Sequence, residues 1–144
     1  MSEHIEKMTV GEVMTKKPVT VHPKTGVKEL KKLFETREFN SIPVVEENGV
    51  LRGLATKIDL LRMFRPDRRS LIPDMAAIRA EKVEDIMSRG YVDVSEGDPV
   101  VTAVDLMMDL NLRALPVTER TPEGRILKGI VTRKDVLSCF VWDE

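Results

Sequence analysis

Apolar positions along the chain alternate between a helical period of about 3.6 and a strand period of about 2. Val27, Leu30, Leu33 and Phe34 fall on one helical face, with Lys28, Lys31, Lys32 and Glu35 between them. Further on, Val100, Ala103, Leu106, Met107 and Leu110 repeat that stripe. Short strands are expected at residues 19–21, 41–45 and 50–55, the last two joined by Glu47-Asn48-Gly49. Asn-Gly between apolar runs favours a hairpin, because both residues accept positive φ. The matching loop, Arg120-Thr121-Pro122-Glu123-Gly124, reads as an exposed turn. Thr9 with Glu12 has the spacing of a capping box that opens a short helix over 10–14. Helices over 57–63 and 133–140 close the two series. The element order is β-α-β-β-α, twice. It predicts an α/β (α+β) fold with helices against one face of sheets of mixed direction.

The duplication extends to individual residues. Met87 lies 73 residues after Met14, and Pro116 lies 73 after Pro43. From Gly53/Gly129 to Asp59/Asp135 the offset becomes 76, so the second copy carries three extra residues in its hairpin. Each copy is one supersecondary unit. A unit of roughly 60 residues buries too little surface to be secure alone. The copies are therefore expected to pack through their sheets with pseudo-two-fold symmetry. This divides the chain into a tail (1–9), a first repeat (10–63), a linker (64–82), a second repeat (83–140) and a tail (141–144). At the linker, Arg62, Arg65, Arg68 and Arg69 form a basic stretch, Asp74 is placed to cap a short helix through Ala80, and Phe64, Leu71 and Ile72 suggest docking.

Composition narrows the function. With 42% hydrophobic residues and a net charge of -1, the chain has a core but no general attraction to nucleic acid or membrane. No apolar run approaches the roughly 20 residues of a membrane span, and the first residues lack the apolar core of a secretion signal. The lone Cys139 cannot make an internal disulfide, which suits a reducing compartment and a cytoplasmic protein. His4 and His22 have no cysteine or acidic partner at ligand spacing. Cys139 reads as a small buried hydrophobe, and no glycine-rich phosphate loop occurs. A non-enzymatic protein without metal or cofactor is expected.

Thr-x-x-Asp opens each closing helix, as Thr56 to Asp59 and Thr132 to Asp135. Structurally, threonine and an acid three residues on satisfy backbone N–H groups at a helix start. Two copies, each after a Gly-apolar-x strand, add a functional reading: free N–H groups favour phosphate oxygens, and a carboxylate can accept both hydroxyls of a ribose. Lys57 and Arg133 follow the threonines and could neutralise phosphate.

The whole pattern resembles a tandem pair of CBS (cystathionine β-synthase-type) domains, a Bateman module. The motif apolar-x-x-apolar-Pro, then Gly-apolar-x-Ser/Thr-x-x-Asp, is matched by Phe39 to Pro43 with Gly53 to Asp59. Leu112 to Pro116 with Gly129 to Asp135 match it again. The resemblance implies a regulatory module for adenosine-containing ligands such as AMP, ADP, ATP or S-adenosylmethionine, bound in clefts between the repeats. One cleft would combine Thr56, Lys57 and Asp59 with Val92, Arg113, Ala114, Leu115 and Pro116. The other would combine Thr132, Arg133 and Asp135 with Val19, Thr20, Asn40, Ser41, Ile42 and Pro43. Val19 and Val92 would contact adenine, backbone groups near Ser41 and Ala114 would read its polar edge, and Arg113 would hold phosphate. Glu38 and Asn111 stand where the family often has glycine. Asp93 replaces the counterpart of Thr20 and adds negative charge, so the Asp135 cleft is expected to be the better nucleotide site. The resemblance also implies a homodimer paired through helices, with Leu60, Leu61, Val136 and Leu137 as its apolar faces, and an effector protein that receives the signal. The alternatives are a structural dimerisation module with vestigial clefts, or nucleic-acid binding through the basic linker.

Overall fold

The computed structural model describes residues 5–39, 41–64 and 81–140. Asn40, the linker residues Arg65, Arg68, Arg69, Leu71, Ile72, Asp74 and Ala80, and His4 lie outside them. After a turn of 3-10 helix at Ile5–Lys7, the elements are α1 (Val10–Val13), α2 (Val27–Thr36), β1 (Ser41–Val45), β2 (Leu51–Thr56) and α3 (Lys57–Met63). They recur as α4 (Val83–Ile86), α5 (Val100–Asp109), β3 (Ala114–Thr121), β4 (Gly124–Thr132) and α6 (Arg133–Leu137). No helix among the described residues is long and apolar enough to cross a membrane.

The chain divides into two units. One is contiguous, Val19–Tyr91; the other joins Met1–Pro18 to Val92–Glu144. In the contiguous unit β1 and β2 pair antiparallel, Ser41 opposite Thr56 and Val44 opposite Gly53. Val21, Leu30, Ile42, Val44, Ala55, Val83 and Met87 form its core. The discontinuous unit repeats the plan with β3 and β4, Ala114 opposite Thr132 and Val117 opposite Gly129. Val10, Val94, Val100, Leu115, Val117, Val131 and Val136 fill its core. Counterparts are buried in both copies: Val10 and Val83, Val27 and Val100, Ile42 and Leu115, Val44 and Val117.

The expected strand at 19–21 and its counterpart 73 residues on, at 92–94, contract to single parallel bridges, Val21 with Val44 and Val94 with Val117. Val21 N–H donates to the Pro43 carbonyl (3.0 Å), and the Val21 carbonyl accepts from Val45 N–H (2.8 Å). Val94 does the same with Pro116 (3.1 Å) and Thr118 (2.9 Å). Lengthening either ladder by one bond toward Val19 or Val92 would need an N–H from Pro43 or Pro116, which proline lacks. The proline of each apolar-x-x-apolar-Pro motif therefore ends the third strand after one residue, and Val19 and Val92 are released from the ladder.

Each unit is closed by a segment from outside its hairpin. Thr15 exchanges backbone hydrogen bonds with Ile130 (2.8 and 3.0 Å), and Ser88 does so with Leu54 (2.8 and 2.9 Å). The contact explains the motif glycines. A Cβ on Gly129 would stand 2.6 Å from the Thr15 carbonyl oxygen and 2.8 Å from the Met14 sulfur. One on Gly53 would stand 2.6 Å from the Ser88 carbonyl oxygen.

Three local expectations are corrected. Thr9 makes no side-chain cap on α1; its hydroxyl donates to the Glu12 carboxylate instead (3.1 Å). In the first hairpin only Gly49 takes positive φ, at 87°, while Asn48 caps Val50 N–H through its side chain (3.1 Å). Leu60 and Val136 are buried, because they sit on the inner faces of α3 and α6. The exposed apolar residues there are Ile58, Leu61 and Leu137.

Candidate functional site

Both Thr-x-x-Asp sequences form complete capping boxes. Thr56 Oγ1 accepts from Asp59 N–H (3.2 Å) while the Asp59 carboxylate accepts from Thr56 N–H (2.9 Å). Thr132 and Asp135 repeat this at 3.1 and 2.9 Å. Register places Ser41 beside Thr56 and Ala114 beside Thr132, so each apolar-x-x-apolar-Pro strand starts next to its own copy's box.

Two hydroxyls distant in sequence from the Thr-x-x-Asp boxes complete these sites. Ser88 Oγ donates to both oxygens of Asp59 (3.0 and 3.2 Å). Its counterpart Thr15 donates to both oxygens of Asp135 at longer range (3.4 and 3.3 Å). The signal was present: a hydroxyl residue follows Met14 and Met87 at the repeat offset. Asp59 further accepts from Thr56 Oγ1 (2.9 Å) and Arg62 Nη1 (3.4 Å), and its side chain is only 2% exposed. Asp135 is half-buried.

The contiguous unit holds Val19, Thr20, Ser41, Ile42, Pro43, Thr56, Lys57 and Asp59; the discontinuous one holds Val92, Arg113, Ala114, Leu115, Pro116, Thr132, Arg133 and Asp135. The side chains of Ile42, Pro43, Leu115 and Pro116 lie in the cores. Ser41 and Ala114 are half-buried, while Thr20, Lys57 and Val92 are exposed. Arg113 is exposed and has no side-chain partner among the described residues. Arg133 is engaged locally, Nε on the Leu112 carbonyl (2.9 Å) and Nη2 on Asn111 Oδ1 (3.2 Å). That pair holds Asn111 at φ 53°, a conformation asparagine tolerates.

Asp93 does not contribute a free negative charge. Its Oδ2 accepts from Thr118 Oγ1 (2.6 Å) and Arg125 Nη1 (2.8 Å), so the longer second hairpin neutralises it. Among the described residues, two concavities of about 380 Å³ are lined by neither Asp59 nor Asp135. One is polar, with Thr20, Thr25, Glu29, Lys32 and Thr36; the other is apolar, between α5 and α6. No cluster of three or more metal-ligating side chains exists among the described residues. Burial pushes the Cys139 thiol above its ordinary pKa, assisted by Asp135.

Among proteins of known sequence, the chain is 30% identical over 139 residues to a CBS domain-containing protein of Dictyostelium discoideum, covering 94% of this chain and 92% of that one. It is 26% identical over 131 residues to L-aspartate semialdehyde sulfurtransferase of Methanocaldococcus jannaschii. That match covers 91% of this chain but spans only 23% of the enzyme's length. Among solved structures, CBSX2 in complex with AMP superposes with a TM-score of 0.75 at 26% identity, covering 92% of this chain and 95% of that one. CBSX2 comes from Arabidopsis thaliana. The CBS domain pair of protein MJ0100, in complex with 5'-methylthioadenosine and S-adenosyl-L-methionine, superposes at 0.70 with 26% identity, covering 92% of this chain and 95% of that one. Residues 10–65 and 83–141 each match the CBS domain, and the chain belongs to the CBS-domain family as a tandem pair.

Proposed function

We propose that this protein is a non-enzymatic regulatory module that binds an adenosine-containing ligand, a nucleotide such as AMP or ATP or a sulfonium nucleoside such as S-adenosylmethionine. The observation that carries this reading is the duplicated carboxylate of Asp59 and Asp135, fixed by its capping box. A carboxylate so held is oriented before a ribose diol arrives, which lowers the ordering cost of binding. Arg113, exposed and unpartnered among the described residues, supplies a planar cation for phosphate. The AMP complex of CBSX2 and the S-adenosyl-L-methionine complex of MJ0100 support the ligand class. The ligand acts by favouring one of two states of the module, which an effector protein then senses.

Thermal denaturation with AMP, ADP, ATP and S-adenosylmethionine tests the reading. The melting temperature is expected to rise with ligand concentration. Replacing both Asp59 and Asp135 by alanine is expected to weaken binding at least tenfold, as loss of a charged hydrogen bond costs about 1.5–3 kcal/mol. No rise with any of the four compounds overturns it.

Self-association is a second property that one observation favours. Met108 on α5 and Leu137 on α6, in one unit, are 75% and 68% exposed and line the same apolar concavity. A homodimer would cover them, and Leu137→Glu is expected to shift sedimentation toward the monomer.

A further inference from the structure

The two carboxylates differ in how many acceptor positions remain open, and this difference rests on the reading of Asp59 and Asp135 as ribose acceptors. An ionised carboxylate offers about four lone-pair sites. Asp59 receives four donors: Thr56 N–H, the Thr56 hydroxyl, the Ser88 hydroxyl and Arg62 Nη1. Asp135 receives two, Thr132 N–H and the Thr15 hydroxyl, the latter at 3.3–3.4 Å. At the repeat offset Ser138 stands where Arg62 stands in the first copy, and its hydroxyl donates to the Lys134 carbonyl (2.8 Å) rather than to Asp135. Among the described residues, two acceptor positions therefore stay open on Asp135, matching the two hydroxyls of a cis-diol, and none on Asp59. Accessibility runs the same way, since Thr15 is exposed and the Asp59 side chain is almost wholly buried.

We propose that the chain takes one adenosine-type ligand, through Asp135, and that Ser88 and Arg62 keep Asp59 closed to a diol. Ser88 and Arg62 act as selectivity residues: they occupy the carboxylate from within. A diol at Asp59 would have to displace a donor already in place, whereas at Asp135 it meets vacant lone pairs.

Isothermal titration of the whole chain with AMP, and separately with S-adenosylmethionine, tests this. One ligand per chain is expected for whichever compound binds, and Asp135→Ala alone should weaken that event tenfold or more. Combining Ser88→Ala with Arg62→Ala frees two positions on Asp59, and the count should rise from one to two. A wild-type count of two overturns the inference while leaving the ligand class intact. So does a single event whose affinity Asp135→Ala leaves within twofold, or a count that stays at one in the folded double variant. Should the double variant not fold, the wild-type count and the Asp135→Ala result decide. If neither compound binds, the titration is made with ADP and ATP, and if none of the four binds the wild type, the ligand reading and the inference fall together.

Discussion

Gly53 and Gly129 are required by what stands against them rather than by backbone conformation. Any side chain would enter the carbonyl of Ser88 or Thr15, and backbone cannot move aside as a flexible side chain can. Gly129→Ala is expected to destabilise the fold by about 1–3 kcal/mol through overpacking, measured as a fall in urea midpoint with unchanged slope. Asp93 shows how a residue's role depends on its surroundings. Alone in sequence it reads as surplus charge, yet Arg125 and Thr118 consume it. Asp93→Ala should cost about 1–3 kcal/mol, because it strands the hydroxyl of the buried Thr118. The Asp of each Thr-x-x-Asp was legible from local spacing. Its hydroxyl partners were legible only through the repeat offset, because Thr15 lies 120 residues from Asp135, and no local period reaches that far.

Among the elements, the helices, both hairpins and the boxes at Thr56 and Thr132 were readable, since period and capping are properties of neighbouring residues. The third strands were overestimated because alternation at Val19-Thr20-Val21 takes no account of the partner. A proline opposite a strand removes a bond the strand itself gives no sign of losing. At α4, Glu84 and Asp85 are held below the ordinary carboxylate range, Glu84 by its hydrogen bond to Lys24 and Asp85 by Lys82 N–H. The folded chain thus binds these protons more weakly than the unfolded chain. Their support is present above the ordinary carboxylate pKa and is lost as pH falls through the lower folded values. Glu81, raised by Asp85, runs the opposite way. The melting temperature should decline below about pH 4. Lys24→Ala should shallow that decline in a pH series by returning Glu84 toward its ordinary value.

For the whole molecule, the duplication was legible, but the two units do not follow the sequence copies. Val10 and Val83 occupy equivalent places in the repeat, yet Val10 is buried among Leu115, Val131 and their neighbours, in the unit that ends the chain. Nothing in the periodicity distinguishes a helix packed on its own copy from one packed on the other. A fragment spanning 19–91 contains every residue of its unit, whereas 92–144 lacks the segment that seals its sheet. The first is expected to give a cooperative melting transition. The second should do so only after a peptide of residues 1–18 is added, which circular dichroism would record.

That pairing of Thr15 with Ile130 also sets an order of events at the ribosome. The stretch synthesised first must wait, unpaired, while the middle of the chain emerges and settles, and it finds its place only when β4 has been made. Closing so long a loop is slow relative to local contacts. A premature stop before β4 would therefore leave an intact central unit trailing an orphaned amphipathic arm, a ready target for quality-control proteases.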